Sequence, residues 1–167
     1  MNTVQIAHCL ETDVYMKKLC LGVFAANKIP KITKFPSCII ANTDIHTKSG
    51  THWVAFYFDD YGSCEFFDTY GRQPRNKYFQ KLKPEVWSEK QVQALQSSVC
   101  GQHCVHFLYE RCRGFSFDEI LQLYGTNLNA NDSCVSQFVN DVFDLTNLPS
   151  VMGHTNQYCV ECCLKNL

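Results

Sequence analysis

The order of the predicted elements indicates an α+β fold, with helices first, a few strands next and mostly helices after them. Two short helices are predicted in the first twenty residues, three buried strands lie between residues 38 and 67, and three helical segments begin from residue 100 onward. The regular alternation of strands and helices that builds a doubly wound parallel sheet does not occur in this order. We therefore expect a small mixed sheet packed by helices.

Turn-forming residues divide the first half of the chain into short elements. Thr12 and Asp13 separate the apolar positions of the first twenty residues, which predicts two helices with a cap between them. The apolar run 38–42 is typical of a buried strand, and the polar stretch 43–50 is expected to be a loop.

A β-hairpin is predicted next. Its strands are 52–58 and 64–67, and the five residues between them are acidic or small enough for a turn. Residues 76–90 show little periodicity, and 92–95 fits a further short strand.

The last third of the chain reads as helical. Cys100, Cys104, Leu108 and Cys112 recur every four residues, which predicts a largely buried helix. Two further helices are predicted at 117–124 and at 134–145. Asn131 or Asp132 is expected to cap the second of these.

The composition is that of one globular domain, residues 1–167. Hydrophobic residues make up 46% and charged residues 19% of the chain, which is enough to bury a core without a metal or disulfides. No stretch is long and apolar enough to cross a bilayer, and the N-terminus shows no secretory signal. We therefore expect a monomer without membrane association in an intracellular, reducing compartment.

Eleven cysteines resemble a disulfide scaffold, but their odd number and the missing export signal favour free thiols. Four cysteines stand among apolar residues and are expected to fill the core, namely Cys20, Cys38, Cys64 and Cys112. The formal net charge of −1 gives no long-range attraction for nucleic acid. Local basic clusters leave a weak association with DNA open.

Cys100 is the candidate nucleophile of a thiol enzyme. It stands at a predicted helix start, where unpaired backbone N–H groups and the helix dipole stabilise a thiolate. Gly101 would let the backbone and a substrate approach closely. Taken alone, Cys100 is better explained as one more core cysteine, so the other segments decide its interpretation.

His52 and Asp68 are the candidate partners of this thiol. His52 opens the first hairpin strand and Asp68 follows the second, so both are expected at one rim of the sheet. An aspartate there can fix the tautomer of the imidazole and stabilise its charged form. The alternatives are a structural histidine and an aspartate that caps a turn. The remaining histidines are expected to be structural, namely His8, His46, His103, His106 and His154.

Three segments of the sequence carry a family resemblance. They are Gly50-Thr51-His52-Trp53-Val54-Ala55-Phe56, then Phe66-Phe67-Asp68-Thr69-Tyr70-Gly71, then Gln93 followed by Cys100-Gly101-Gln102-His103-Cys104. In this order they resemble the His, acidic and Gln…Cys-Gly segments of the adenovirus protease family, above all the versions encoded by Polinton or Maverick elements and related small double-stranded DNA viruses. The resemblance covers residues 10–145.

The resemblance implies an adenain-type, papain-like fold with the nucleophile Cys100 at the start of a central buried helix. It implies a cysteine endopeptidase in which His52 is the base, Asp68 orients that base, and Gln93 donates to the oxyanion beside the backbone N–H of Cys100. Gln96 is the rival donor, with a spacing that matches the family less well.

The same resemblance implies polypeptide substrates, namely capsid and core precursor proteins cleaved at glycine-containing sites. If the chain is viral, the host cell nucleus and the virion are its expected locations. Trp53 matches an aromatic residue that packs against the catalytic ring in the family.

Two features depart from the adenovirus enzyme. The acid is often Glu there, whereas Asp68 has a shorter arm. The adenovirus enzyme is also stimulated by DNA and by a viral peptide disulfide-linked to a cysteine between the acid and the glutamine. This sequence has no cysteine between Cys64 and Cys100. We therefore expect no covalent peptide cofactor, no DNA dependence and no other required cofactor.

Two alternatives stay open. Proteases for ubiquitin-like modifiers share the order His, Asp, Gln and Cys-Gly, and they also cleave after glycine. A zinc-binding interaction module is the alternative from another class, built on a cysteine-rich tail at 150–167. Its potential ligands are His154, Cys159, Cys162 and Cys163.

Overall fold

One mixed sheet of five strands organises the part of the chain that the computed structural model describes, residues 1–146 and 148. In sheet order the strands are β1 (Cys20–Ala25), β2 (Ser37–Asn42), β3 (Trp53–Phe58), β4 (Cys64–Phe67) and β5 (Pro84–Trp87). The helices are α1 (Thr3–Thr12), α2 (Met16–Leu19), α3 (Lys77–Gln80), α4 (Cys100–Arg111), α5 (Phe117–Gln122) and α6 (Leu128–Val142), with a 3₁₀ turn at Ala26–Lys28. The predicted α+β class is confirmed.

The strands pair in both directions. β1 is parallel to β2 and β4 is parallel to β5, whereas β3 is antiparallel to both of its neighbours. The predicted hairpin is present, with Ala55 opposite Phe67 and Phe58 opposite Cys64. Its turn is fixed by Asp59, whose Oδ1 accepts the backbone N–H of Ser63 at 2.8 Å.

Successive side chains of β3 point to opposite faces of the sheet, so the strand contributes to two cores. On one face, Ala55 and Tyr57 join the larger core with α1, α4, α5 and α6. Within it the rings of Phe67 and Phe107 stack with centroids 4.5 Å apart. On the other face, Phe56 packs on Phe79 of α3 at 5.2 Å. The sheet is therefore covered on both faces.

The structure differs from the sequence prediction in the segment before α4. Residues 92–95 form a loop and not a strand, and the fifth strand lies earlier, at Pro84–Trp87. β5 pairs only with β4 and leaves Val86 and Trp87 exposed. Because such an edge strand faces solvent and carries a proline, it shows no apolar alternation for the sequence to reveal.

The start of α6 is a second difference. The helix begins at Leu128, and Asn127 caps it by accepting the backbone N–H of Ala130 at 3.1 Å. Asn131 and Asp132, the predicted caps, lie inside the first turns with their side chains buried. Because Asn127 occupies the capping position, their side chains are left to bind other parts of the chain.

The described cysteines are free thiols. Cys38 and Cys64 are buried, as predicted, but Cys20 and Cys112 are partly exposed. The sulfur of Cys38 lies 2.6 Å from that of Cys20 and 3.9 Å from that of Cys112, where the end of α4 meets β1 and β2. No helix among the described residues has the length and apolar character needed to span a membrane.

Candidate active site

Cys100 is the first residue of α4. The N-cap residue Val99 makes no side-chain hydrogen bond to the helix, so the first-turn N–H groups of α4 have no side-chain cap at this end. Cys100 as a residue is only 8% exposed and belongs to the larger core. The start of the helix therefore offers a reacting carbonyl both a sulfur and backbone donors.

Gly101 has a different role from the one expected. A Cβ at this position would lie 3.1 Å from Met1 Cβ, 3.3 Å from Ile6 Cδ1 and 3.4 Å from Trp53 Cδ1. The missing side chain therefore makes room for the N-terminal segment and Trp53. It does not make room for a substrate.

His52 and Asp68 meet at the rim of the sheet. Continuing the β3–β4 register by one pair beyond Ala55 and Phe67 would place Asp68 opposite Val54, diagonal to His52 on the same face. The side chains take up this relationship, with His52 Nε2 2.8 Å from Asp68 Oδ1. Both residues are buried.

Cys100 is the other neighbour of the His52 ring, since its thiol raises the pKa of His52 and His52 lowers the pKa of the thiol. Because Nε2 is engaged with Asp68, the nitrogen left for the sulfur is Nδ1. The imidazole therefore stands between the candidate nucleophile and the carboxylate, as a proton carrier must.

The charges around His52 and Cys100 favour an ion pair between these two residues. Burial lowers the pKa of His52, but the hydrogen bonds and negative charges of Asp68 and Cys100 outweigh burial and raise it to about 9. Burial raises the pKa of the Cys100 thiol, but the hydrogen bond and charge of His52 reverse the shift and leave it below its ordinary value. A thiolate beside an imidazolium is favoured.

A tight turn positions the aspartate. The backbone N–H of Gly71 donates to Asp68 O at 2.9 Å, and Asp68 Oδ1 accepts the backbone N–H of Tyr70 at 2.9 Å. Gly71 has a φ of +65°, and a Cβ there would lie 2.5 Å from Glu89 O. The turn therefore requires glycine at this position.

An aromatic ring covers the imidazole. The ring centroid of Tyr70 lies 4.9 Å from that of His52 at an angle of 33°. Trp53, which was expected to pack against the catalytic ring, lies beside Gly101 and donates from Nε1 to Met1 O at 3.2 Å. Tyr70 belongs to the turn after β4, where its backbone N–H donates to Asp68 Oδ1, so this turn and not strand pairing brings its ring to His52.

Gln93 is buried in the loop before α4, and both ends of its amide are engaged. Its Oε1 accepts from Thr69 Oγ1 at 2.6 Å, and its Nε2 donates to the backbone and side-chain oxygens of Ser97, each at 3.0 Å. Thr69 follows Asp68 in the chain, so Gln93 is tied to the acid's turn. Gln96 lies in an exposed turn of the same loop.

A shallow cleft of about 230 Å³ borders His52 and Asp68. Its other walls include Arg72, Arg75 and Asn76 from the loop between β4 and α3. The cleft reaches the rim of the sheet on the side of His52.

The structure thus brings three of the four predicted residues together, namely Cys100, His52 and Asp68, and Gln93 is bonded to Thr69, the residue after Asp68. Sequence reasoning missed the supporting residues. Their common feature is a polar side chain that bonds to a residue distant in the sequence, namely Thr69, His103, Asn131 and Asp132. Of the last three, only His103 lies on a predicted helix, and no local pattern in the sequence shows that these side chains are buried.

The predicted zinc ligands His154, Cys159, Cys162 and Cys163 lie outside the described residues. Within residues 1–146 and 148, no group of three or more His, Cys, Asp or Glu side chains is arranged to hold a metal ion. A scan against protein-family models and a search of curated proteins gave no match to the sequence.

Proposed function

We propose that this protein is a cysteine endopeptidase with Cys100 as nucleophile, His52 as general base and acid, and Asp68 as the group that orients His52. The observation that carries the proposal is the position of His52, whose Nε2 lies 2.8 Å from a carboxylate oxygen and whose ring is close enough to a thiol at a helix start for the two groups to shift each other's pKa. A satisfied structural histidine would need only one of these partners. The opposed pKa shifts of His52 and Cys100 support the same reading.

The reaction begins with attack of the Cys100 thiolate on a peptide carbonyl. The backbone N–H of Cys100 at the start of α4 stabilises the oxyanion, and Gln93 is the second donor. Gln93 Nε2 has two hydrogens, both now directed at Ser97. Both amide hydrogens are fixed in the plane of the side chain, so the one bonded to Ser97 Oγ becomes available to the oxyanion only when the Ser97 hydroxyl rotates away from it.

Protonated His52 then gives its proton to the leaving amine, and an acyl thioester forms on Cys100. The neutral imidazole next accepts a proton from water, whose attack releases the acid and restores the thiolate. Asp68 keeps Nε2 engaged throughout, so that Nδ1 stays directed at the sulfur and the reacting atoms.

The substrate class comes from the resemblance of residues 10–145 to the adenovirus protease family. We place the chain on a papain-like, adenain-type fold, with viral precursor proteins cleaved at glycine-containing sites as its substrates. If it acts in a viral cycle, it works in the host nucleus and the virion. Release of a ubiquitin-like modifier is the competing activity, because it uses the same residues in the same order.

The experiment is to label the wild type, Cys100→Ala and Cys104→Ala with an electrophilic peptide probe ending in glycine, under reducing conditions and with a chelator. Cys104 lies one helical turn after Cys100, and burial raises the pKa of its thiol, so it is the matched control. We expect one adduct by intact mass on the wild type and on Cys104→Ala, and none on Cys100→Ala. Equal labelling of Cys100→Ala and the wild type would refute the proposal.

Peptide substrates separate the two activities. A protein maturation enzyme should cut an internal Gly-X bond of a short peptide. A modifier protease should instead act on the C-terminal glycine of a folded ubiquitin-like protein and leave the short peptide intact.

A further inference from the structure

The loop that carries Gln93 has no regular secondary structure, yet it is held on both flanks. On one side the backbone N–H groups of Val92 and Gln93 donate to Thr69 O at 2.9 and 3.3 Å. On the other side two consecutive residues of α6 bind the residues next to Gln93. Asn131 Nδ2 donates to Val92 O at 3.1 Å, and Asp132 Oδ2 accepts the backbone N–H of Ala94 at 3.1 Å.

Asp132 also reaches the helix of the nucleophile. Its second oxygen, Oδ1, accepts a hydrogen bond from Nε2 of His103 at 2.8 Å. His103 is fully buried and lies one turn after Cys100 on α4. One carboxylate thus bonds both to the loop of the candidate oxyanion donor and to the helix of the candidate nucleophile.

The chemistry of Asp132 and His103 fits a structural hydrogen bond and does not fit proton transfer. Nδ1 of His103 is buried without a hydrogen-bond partner. Burial lowers the pKa of His103 despite the hydrogen bond and charge of Asp132, so the ring is favoured neutral with its hydrogen on Nε2. A neutral ring whose other nitrogen meets no donor or acceptor has no route for passing a proton onward.

We infer that Asp132 and His103 are positioning residues that set the place of Gln93 relative to Cys100. The inference rests on the proposed function, because it assigns these residues to the oxyanion site of that reaction. The pair keeps the side chain of Gln93 in reach of the oxyanion, and its loss lets the loop move away from α4. Neither residue is expected to change the reactivity of the Cys100 sulfur itself.

Two rates measured on the same enzyme separate these effects. Hydrolysis of a fluorogenic peptide amide ending in Gly-Gly passes through an oxyanion, so it depends on the place of Gln93. Alkylation of Cys100 by iodoacetamide forms no oxyanion and reports only the thiolate and its partner His52. Alkylation is read by peptide mass, which distinguishes Cys100 from the exposed thiol of Cys134.

Asp132→Ala removes the acceptor of both the Ala94 N–H and His103 Nε2. We expect kcat/KM for the peptide amide to fall by about 10- to 100-fold, the range that a misplaced catalytic group costs, while the alkylation rate of Cys100 stays unchanged. Asp132→Asn should restore most of the activity. Its amide oxygen can accept from Ala94, and its NH₂ can donate to Nε2 of the other tautomer of His103, although the hydrogen then on the buried Nδ1 has no acceptor and keeps the rescue incomplete.

His103 supplies a second pair of variants in case Asp132→Ala does not fold. His103→Leu should lower hydrolysis without changing alkylation, and His103→Gln, whose amide nitrogen can take the place of Nε2, should recover it. His106→Leu is the matched control, since His106 is a partly buried histidine of α4 whose Nδ1 hydrogen-bonds to Tyr124 Oη at 3.0 Å and not to the Gln93 loop. Its ratio of hydrolysis to alkylation should equal that of the wild type.

Each outcome decides between the two claims. If the wild type hydrolyses the peptide amide and Asp132→Ala or His103→Leu hydrolyses it at the same rate, the inference is overturned and the proposed function stands. Parallel loss of hydrolysis and alkylation in both variants would show that the pair only supports the fold, which also overturns it. A folded wild type that shows neither hydrolysis nor selective alkylation of Cys100 refutes the proposed function, and the inference falls with it.

Discussion

One oxygen of Asp68, Oδ1, accepts a hydrogen bond from His52 Nε2 at 2.8 Å and another from the backbone N–H of Tyr70 at 2.9 Å. Two donors that converge on Oδ1 define where this oxygen must be. The carboxylate is therefore fixed by its own turn before it orients the imidazole. The position of this oxygen determines how substitutions of Asp68 and His52 should change the rate of hydrolysis.

Asp68→Asn should slow peptide hydrolysis far less than His52→Ala does. The amide oxygen of Asn can take the place of Oδ1 between the two donors, so the ring keeps its orientation and loses only a nearby charge. His52→Ala removes the proton carrier and should cost about 10²- to 10⁴-fold in kcat/KM. Steady-state kinetics with a Gly-Gly peptide amide would check this order, and an Asp68→Asn variant as inactive as His52→Ala would contradict it.

The pH profile of kcat/KM should be bell-shaped with an upper limb near 9. Below the lowered pKa of Cys100 the thiol is protonated, and above the raised pKa of His52, about 9, the imidazolium that protonates the leaving amine is lost. Activity therefore needs the window between the two. Because the charge of Asp68 helps to raise the pKa of His52, Asp68→Asn should move the upper limb to lower pH. An upper limb that stays in place would refute that electrostatic role.

Gln93→Ala should lower peptide hydrolysis by about 10²- to 10³-fold, the cost of one oxyanion donor, and leave alkylation of Cys100 by iodoacetamide unchanged. Gln96→Ala is the control, because Gln96 lies in an exposed turn of the same loop. If Gln96→Ala lost hydrolysis while Gln93→Ala kept it, the two glutamines would have to exchange roles. Parallel measurement of both rates gives the answer.

Gly71→Ala should destabilise the fold more than Gly114→Ala. Both glycines have a positive φ, which costs an alanine about 1–2 kcal/mol. At Gly71 the new Cβ would also lie 2.5 Å from Glu89 O, whereas at Gly114 nothing lies within 4 Å. We expect a loss of more than ~2 kcal/mol in the free energy of unfolding for Gly71→Ala only. Urea denaturation of the two variants would measure this, and equal losses would show that the contact is relieved without cost.

The elements that the sequence predicted well are those with strong local patterns. The hairpin lies within one residue of its predicted bounds because its apolar strands flank a turn of acidic and glycine residues. α4 begins at Cys100, where the four-residue apolar spacing starts. The sequence did not predict β1, α3, β5 or the start of α6. For β5 and α6 the reason is that an exposed edge strand and a helix with buried polar residues both hide their periodicity.

The sequence by itself determined the α+β class, the hairpin that carries His52 and Asp68, and the helix that begins at Cys100, because alternation and helical spacing are local properties of the chain. The catalytic roles of His52, Asp68, Gln93 and Cys100 stay predictions. Only the tertiary structure decided which polar groups meet around them. Asp132 binds Ala94 and His103 across 38 and 29 residues of sequence, and contacts over such distances depend on how α6 packs against α4, which no local pattern encodes.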